Sequence, residues 1–359
     1  MSSHRPAARR GQVKCLVWDL DDTLWDGVLL EGDDVRLRPH VAELLTTLDQ
    51  RGILHSVASR NDEEAALARL RRLGVEDMFV YPQIGWNPKS SAIERIAQSL
   101  NIGVDALAFV DDQEFERAEV SRLHPGTLCL APAQLEAAVD RPEFNPRFVT
   151  AESRLRRSMF RSQIAREQKE VAYQGTPEQF LAELGMRFTI RRASQDDLQR
   201  AEELTVRTNQ LNSTGRTYGY EELDELRGRP DHLLLVADLT DKYGSYGTIG
   251  LALVELGTSV WHLRLLLMSC RTMSRGVGTV LLNHVMTQAK EAGVRLRADF
   301  VETGRNRQMQ ITYAFAGFRE AGRDGEHLVL ESDLQLIQQP APYLELRVED
   351  LAPEGVDAL

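Results

Sequence analysis

The stretch CLVWDLDDTLWDG, residues 15–27, places three acidic residues directly after a short apolar run. An apolar run of this length is typical of a buried β-strand. Asp19 and Asp21 stand two residues apart where this strand would end, so two carboxylates, or one carboxylate and one main-chain carbonyl, can face the same crevice. The stretch therefore predicts an acidic site at the carboxyl end of a strand.

Residues 13–146 alternate short apolar runs, among them the predicted strand DMFVYP at 77–82, with helical patterns. This alternation predicts an α/β domain with parallel strands and crossover helices. In such sheets, ligand sites lie at the carboxyl ends of the strands. The predicted strand ends carry Asp19, Ser59, residues 86–89 and Asp111.

Two acidic pairs, Asp19 with Asp21 and Asp111 with Asp112, predict a divalent-cation site. Neighbouring carboxylates in a pocket repel one another, and a cation relieves that repulsion. Mg²⁺ prefers oxygen ligands and keeps waters and phosphate oxygens in its shell. A carboxylate can also attack phosphorus, and a second acid can protonate the leaving oxygen. The pattern therefore favours phosphoryl transfer.

Each of these residues taken singly has a plainer explanation. A pair such as Asp19 and Asp21 can form a solvated turn, Ser59 can be a helix N-cap, and Lys89 can be an ordinary surface lysine. Asp111 and Asp112 can likewise cap a helix. Their joint occurrence, in order and at strand ends, favours a common site.

The motifs DLDDTLW, SVAS, Lys89 and VDD resemble those of the haloacid dehalogenase superfamily of phosphatases. The resemblance implies that Asp19 is the nucleophile and Asp21 the general acid/base. It implies that Ser59 holds a phosphoryl oxygen and that Lys89 steadies the phosphoryl charge. Arg60, next to Ser59, is a further candidate for phosphate binding. The implied Mg²⁺ ligands are Asp19, Asp21, Asp111 and Asp112.

The spacing of these motifs leaves no room for a large cap domain. Only 38 positions separate Asp21 from Ser59, and 30 separate Ser59 from Lys89. The expected helices and strands occupy nearly all of them, so a capless domain with an open cleft is predicted. An open cleft suits a substrate delivered by a macromolecule or covered by a second domain.

The composition limits the class of protein. With 359 residues, the chain is long enough for two domains that each bury a core. The net charge of −11 disfavours a nucleic-acid or membrane partner. Three widely spaced cysteines form no disulfide framework, and no apolar run approaches the length of a membrane helix. The start of the chain lacks the apolar core of a signal peptide, so we expect a soluble, cytoplasmic protein.

We expect a first domain over residues 12–146, a helical linker over 147–184 and a second α/β domain over 185–346. The linker is rich in arginine. Its basic face can dock an acidic carrier protein or can simply be a solvated helix face, and the second explanation is preferred. The arginines of this face are Arg154, Arg156, Arg157, Arg161 and Arg166.

The stretch LRLLLMSCRTMSRGVGTVLL, residues 263–282, carries a second candidate site. Cys270 stands where an apolar strand ends and a glycine-containing turn begins a helix, with Arg271 beside it. Helix-start amides and guanidinium groups lower the pKa of a thiol, which is what a nucleophilic cysteine requires. A structural cysteine is the alternative explanation. For Cys15 and Cys129, a place in the core is preferred.

This half resembles the GNAT acyltransferase fold, in which such a turn cradles the pyrophosphate of coenzyme A or a phosphopantetheine arm. Gly276 and Gly278 fit the glycine positions of that signature, but Met273 stands where an arginine is usual. The departure argues against routine acetyl transfer. It leaves room for a pantetheine-bearing protein as partner.

Nearly the whole chain resembles the FkbH-like family of glyceryl transferase/phosphatases. The motifs are KCLVWDLDDTLWDG, WNPKSSAIERIA, FVDDQEFERAEV, RTNQLNSTGRTY, MSCRTMSRGVG and YAFAGF. The resemblance implies that a glyceryl unit from 1,3-bisphosphoglycerate is loaded on an acyl carrier protein for polyketide biosynthesis of the methoxymalonyl or tetronate type. Gln113 and Glu114, and also His262 and Arg264, depart from the family pattern.

Three amides, Asn209, Gln210 and Asn212, can bind a hydroxy acid or an oxyanion, and Arg271 is a further candidate. The alternative for the amides is a helix end followed by a turn. Two rival functions stay open: a small-molecule phosphatase fused to a coenzyme A dependent acetyltransferase, and a carrier-docking scaffold with an inactive cleft.

Overall fold

The computed structural model describes residues 11–269, 272 and 275–349. The chain divides into two compact units between Ile164 and Ala165. The domain limits expected from the sequence, 12–146, 147–184 and 185–346, remain a prediction. Within the described ranges, no helix is both long and apolar enough to cross a membrane.

The first unit is built on a five-stranded parallel sheet, so the predicted α/β class is confirmed. Its elements are β1 (Cys15–Trp18), β2 (Trp25–Asp26), β3 (Arg36–Leu37), α1 (Val41–Gln50), β4 (Leu54–Ser59), α2 (Glu63–Arg72), β5 (Gln83–Ile84), α3 (Lys89–Leu100), β6 (Leu107–Val110), α4 (Glu114–Leu123), β7 (Leu128–Leu130), α5 (Pro132–Ala138) and α6 (Ala151–Arg154). The strand order is β5-β4-β1-β6-β7, and β2 pairs with β3 in a small hairpin.

Strand β1 lies at the centre of this sheet and is buried on both faces. Leu16 and Trp18 belong to one hydrophobic cluster, and Cys15 and Val17 belong to another. Alternation of side chains along the strand explains this division. The chain leaves the sheet at Asp19, and only the short hairpin β2–β3 separates β1 from α1. No large inserted domain therefore follows β1.

A fully buried histidine connects this core to helix α1. His55 on β4 accepts a hydrogen bond from Trp18 Nε1 at 3.1 Å, and its Nε2 lies 2.9 Å from the carbonyl oxygen of Leu45. These partners select the neutral tautomer with its proton on Nε2. Burial, with smaller effects of neighbouring groups, lowers the pKa of His55 from 6.5 to about 4.

Protonation of His55 is therefore expected to oppose folding of the first unit as the pH falls. The unfolded chain protonates His55 as the pH falls below about 6.5, whereas the folded chain resists protonation down to about 4. We expect the contribution of His55 to the free energy of unfolding to fall by about 3 kcal/mol across this window. It is measured by urea unfolding as the difference in pH dependence between the parent chain and a variant without this histidine. A His55→Gln variant keeps one donor and one acceptor and should lose this contribution, while that of Asp19 remains. A similar variant of the exposed His40 should retain it, and an unchanged slope in His55→Gln would contradict the assignment.

Helix α7 (Arg156–Val171) begins in the first unit and ends in the second. Three of its arginines form ion pairs, and these arginines differ in exposure. Arg157 pairs with Asp49 at 3.0 Å, and Arg161 pairs with Asp77 at 2.7 Å. Arg166 is only 1% exposed and pairs with Asp241 at 2.7 Å. Both explanations offered for this face are therefore wrong at Arg166, because its guanidinium is needed to neutralise a buried carboxylate.

The second unit contains an eight-stranded mixed sheet with helices, as predicted. Its elements are α8 (Pro177–Glu183), β8 (Met186–Arg192), α9 (Leu198–Arg207), α10 (Tyr220–Gly228), β9 (His232–Asp241), β10 (Gly244–Glu255), β11 (Val260–Met268), α11 (Val280–Glu291), β12 (Arg295–Val301), α12 (Arg307–Phe315), β13 (Phe318–Asp324), β14 (His327–Ser332) and β15 (Leu344–Glu349). The order is β13-β14-β12-β11-β10-β9-β8-β15. Among the described strands of this sheet, the pairs β11–β12 and β8–β15 are parallel.

Strands β11 and β12 pair only at their beginnings, residues 260–263 with 295–298, and then separate. Residues 211–213 enter the gap between them. Ser213 N donates to Leu266 O at 2.9 Å, and Val301 N donates to Ser213 O at 2.9 Å. The inserted segment therefore satisfies main-chain groups that the separating strands would otherwise leave unpaired.

Candidate active site of the first unit

Two carboxylates meet because β1 and β6 are neighbours in register. Trp18 lies beside Val110, so Asp19 and Asp111 follow at the same edge of the sheet. Both side chains are buried, and Lys89, at the first position of α3, lies between them. Lys89 Nζ is 2.7 Å from Asp19 Oδ1 and also contacts Asp111 Oδ2. Three residues from distant parts of the chain thus form one buried ion-pair group.

Asp112 completes an acidic cluster with Asp19 and Asp111. One oxygen from each carboxylate lies within 4.8 Å of the others. Thr23, which follows β1, places Asp112: the main-chain N–H of Asp112 donates to Thr23 Oγ1 at 2.9 Å, and the hydroxyl contacts Asp112 Oδ1 at 3.4 Å. With all groups ionised, three carboxylates against one lysine leave two negative charges. This donor set suits a divalent cation.

The carboxylate of Asp21 is held outside that cluster. Its Oδ1 accepts hydrogen bonds from Trp25 Nε1 at 2.8 Å and from the main-chain N–H of Leu29 at 3.0 Å. Its Oδ2 accepts one from Asn61 Nδ2 at 2.8 Å. Of the four metal ligands expected from the sequence, the structure brings together the carboxylates of Asp19, Asp111 and Asp112.

The buried charges alter the proton affinities at the site. Burial raises the pKa of Asp19 to about 7, with the charge of Asp111 adding to this and Lys89 opposing it. Burial also raises the pKa of Asp112, and Asp111 again adds to it. Burial lowers the pKa of Lys89, but the two carboxylates outweigh it and the net direction is upward. A cation bound to this cluster would favour the ionised form of Asp19.

Ser59 lies at the end of β4, beside Asp19's strand, and is 4% exposed. It borders a polar cavity of about 130 Å³, whose lining includes Gln83, Gly85, Asn87, Lys89 and Arg95. The cavity can admit a group of phosphate size next to Lys89. Ser59 is not the N-cap of helix α2, because Asp62 caps it by accepting from Ala65 N at 2.9 Å.

Two residues near the site were missed by the sequence analysis. Asn61 donates to Asp21 and contacts Ser59 Oγ at 3.4 Å, and its own Oδ1 is buried without a partner. Glu116 is buried and holds Arg60 at 3.1 Å, while its Oε2 has no partner. Asn61 stands two residues after Ser59, and Glu116 stands five after Asp111. Closeness in sequence to these motifs was the only signal that could have placed them near the site.

The candidates of the second unit are less closely grouped. Cys270 and Arg271 lie outside the described residues. Asn209 is exposed, and Gln210 is half-buried, shortly after the end of α9. Asn212 is fully buried, and its Oδ1 accepts from Thr214 N at 3.1 Å and from Gly215 N at 2.9 Å. The Asn212 side chain therefore shapes a turn, as in the alternative explanation for this segment.

Comparison with known proteins identifies relatives of the first unit. Residues 26–116 match the family model of haloacid dehalogenase-like hydrolases. Magnesium-dependent phosphatase 1 of Homo sapiens is 32% identical over 136 residues, which cover 33% of this chain and 76% of that protein. The N-terminal part of protein BF1531 from Bacteroides fragilis, described as containing a phosphatase domain complexed with Mg, is 30% identical, with a TM-score of 0.31. That match covers 34% of this chain and 36% of the other.

Acetyltransferase structures are also among the matches. The ribosomal-protein-S18-alanine N-acetyltransferase of Escherichia coli is 17% identical, with a TM-score of 0.33. The match covers 43% of this chain and 97% of the other. The PaiA N-acetyltransferase of Thermoplasma acidophilum, in complex with coenzyme A, is 19% identical, also with a TM-score of 0.33. That match covers 40% of this chain and 98% of the other.

Proposed function

This chain belongs, through its first unit, to the haloacid dehalogenase-like hydrolases, and we propose that it is a Mg²⁺-dependent phosphatase that works together with acyl transfer. Its substrate is a phosphoglyceryl group taken from 1,3-bisphosphoglycerate, and its product is a glyceryl thioester on an acyl carrier protein. The observation that carries the phosphatase half is the buried group in which Lys89 bridges Asp19 and Asp111. The transfer half is supported by the sequence around Cys270.

In the phosphatase half, an oxygen of Asp19 attacks phosphorus. A phosphorus–oxygen bond to Asp19 forms, and the bond to the C3 oxygen of the glyceryl group breaks. Asp21 gives the proton that the leaving oxygen requires, and later takes one from the water that hydrolyses the aspartyl-phosphate. Ser59 and Lys89 hold the phosphoryl oxygens and balance their charge.

The cluster of Asp19, Asp111 and Asp112 fits Mg²⁺ because it offers oxygen ligands and an excess of negative charge. Bound there, Mg²⁺ would neutralise charge on the phosphoryl group and on the attacking carboxylate. Lys89, which contacts Asp19 directly, shares this neutralisation. The carboxylate of Asp21 is held by Trp25 and Asn61 outside the cluster. A cation bound to the cluster would therefore not take the place of the proton that Asp21 has to deliver.

In the transfer half, the thiolate of Cys270 attacks the acyl carbon of 1,3-bisphosphoglycerate. A carbon–sulfur bond forms and inorganic phosphate leaves, so no ATP is needed because the acyl phosphate is already activated. After removal of the C3 phosphate, the pantetheine thiolate of the carrier attacks the thioester carbon. The glyceryl group moves to the carrier, and the Cys270 thiolate is released.

The test is the intact mass of a carrier protein after incubation with the chain, Mg²⁺ and 1,3-bisphosphoglycerate. A glyceryl adduct on the pantetheine arm is expected. Cys270→Ala should slow loading by about 10-fold or more, because only direct attack by the carrier thiol remains. Cys129→Ala is the matched control and should load at the normal rate.

Other outcomes of this experiment separate the alternatives. Normal loading by Cys270→Ala would remove that residue from the mechanism. Turnover of acetyl-coenzyme A without a carrier, together with no adduct, would instead support the fusion of a phosphatase with an acetyltransferase. If carrier loading, acetyl-coenzyme A turnover and phosphate release are all absent, the carrier-docking scaffold is the remaining explanation.

A further inference from the structure

The second unit contains a polar pocket, and the described residues that line it have no role in the mechanism given above. Its volume is about 230 Å³, and we call it the Asp299 pocket. Charged and polar residues line it: Arg216, Tyr218, Glu222, His232, Arg264 and Asp299. Pockets for drug-sized ligands begin at roughly 300 Å³, so this one suits a smaller molecule.

A break in the sheet register turns Arg264 toward this pocket. In the pairing of β10 with β11, Leu253 lies opposite Leu265 and Val254 lies opposite Leu263, so Arg264 is skipped. Such a β-bulge re-aims a side chain and occurs beside functional sites. The neighbours Leu263 and Leu265 pack into different hydrophobic clusters, while Arg264 remains 37% exposed.

Asp299 on β12 is the centre of the pocket's charge network and is 7% exposed. Its Oδ1 lies 2.7 Å from His262 Nε2 and 3.1 Å from His327 Nε2. Its Oδ2 lies 3.1 Å from Arg264 Nη1. Burial opposes ionisation of Asp299, but the hydrogen bonds and charges of His262 and Arg264 lower its pKa overall. The pocket therefore contains a buried carboxylate that can still accept a hydrogen bond on Oδ2.

Hydrogen-bond donors also line the pocket. Arg264 uses Nε and Nη2 on Glu255 and Nη1 on Asp299. A guanidinium has five N–H groups, so roughly two of those on Arg264 are left for a ligand. Arg216 pairs with Glu222 and is 58% exposed, and its guanidinium lies 4.4 Å from the ring centre of Tyr218. The pocket lining therefore offers two cationic donors together with the buried acceptor Asp299 and the half-buried Glu222.

These positions match a small molecule that carries both an acidic group and hydroxyls. We infer that the Asp299 pocket binds a small hydroxy acid of the glycerate class, whose carboxyl or acyl oxygen contacts Arg264 and Arg216 while a hydroxyl donates to Asp299. Leu226 and Leu253 supply an apolar wall for its carbon atoms. The inference rests on the proposed function for the identity of the acyl group, and it makes this pocket the subsite that selects that group.

The test is calorimetric binding of glycerate to the full chain, with propionate and glycerol as probes that lack the hydroxyls or the acid. Glycerate should bind at least about 10-fold more tightly than either. Arg264→Gln should weaken glycerate binding by about 10-fold or more. Arg297→Gln is the matched control, because Arg297 is also 37% exposed and pairs with Glu331 at 2.7 Å outside the pocket lining.

A second, milder variant tests the pocket even if Arg264→Gln fails to fold. Tyr218→Phe removes one hydroxyl from the pocket wall and should weaken glycerate binding by a few-fold. Its far-ultraviolet circular dichroism spectrum should match that of the parent chain. Normal affinity in both variants, or glycerate binding no tighter than propionate, would overturn the inference. Carrier loading is measured separately: loading without glycerate binding refutes only the pocket, and glycerate binding without loading refutes only the proposed transfer.

Discussion

Asp19→Asn is expected to lower phosphate release by about 1,000-fold or more, because an amide oxygen is a far weaker nucleophile than a carboxylate. Asparagine keeps the size of the side chain at this buried position and leaves the partner Lys89 in place. The measurement is release of inorganic phosphate from p-nitrophenyl phosphate in the presence of Mg²⁺. On the proposed mechanism, the same variant should leave a phosphoglyceryl adduct on the carrier.

Asp22→Asn is the matched control for this prediction. Asp22 belongs to the same acidic run but is exposed, and it has a positive φ of 49°, a conformation that asparagine tolerates well. The control should keep activity within about two-fold of the parent. Equal activity of Asp19→Asn and the parent would exclude Asp19 as the nucleophile and, with it, the proposed phosphatase mechanism.

Arg166→Ala is expected to destabilise the second unit by about 3 to 5 kcal/mol, because it leaves a buried carboxylate without its cation. Arg166 Nε and Nη2 contact the two oxygens of Asp241 at 2.7 and 2.8 Å, and both side chains are almost fully buried. The guanidinium also lies 4.1 Å from the ring centre of Tyr246. Faster hydrogen exchange of the main-chain amides in β9 and β10 should report the loss of stability.

Arg161→Ala provides the comparison on the same helix. Its ion pair with Asp77 has the same 2.7 Å separation, but the two side chains are 45% and 75% exposed. Solvent screening should limit its cost to about 1 kcal/mol or less. A double variant, Arg166→Met with Asp241→Leu, should recover part of the lost stability because no unpaired charge remains. Equal effects of the two single arginine variants would contradict this account.

The positions of Asp19, Lys89 and Asp111 illustrate what local sequence can predict. Each follows or begins an element of a βα alternation, and parallel strands bring their carboxyl ends to one edge. The run DMFVYP, by contrast, was expected to be a strand. The structure has a 3₁₀ turn at Glu76–Met78, an isolated bridge between Phe79 and His55, and strand β5 only at Gln83–Ile84. Apolar composition there reflects packing against the core.

The direction of individual side chains could not be predicted in the same way. Asp21 stands two residues from Asp19, yet its carboxylate bonds to Trp25, Leu29 and Asn61, because the chain turns sharply after β1. The side-chain amide of Asn212 was a candidate ligand-binding group. In the structure it is buried in a turn that fills the gap between β11 and β12. Such outcomes depend on partners far away in sequence.

By itself, the sequence determined the α/β class, the order of strands and helices around β1, and the acidic and basic residues that reach its carboxyl edge. These follow from the periodicity of apolar residues and from short-range connections, which are local properties. Only the tertiary structure decided that Asp21 is held outside the acidic cluster, that Arg166 is buried, and that Arg264 contacts Asp299. Burial and long-range pairing set the energy of each charge, and neither is a property of neighbouring residues alone.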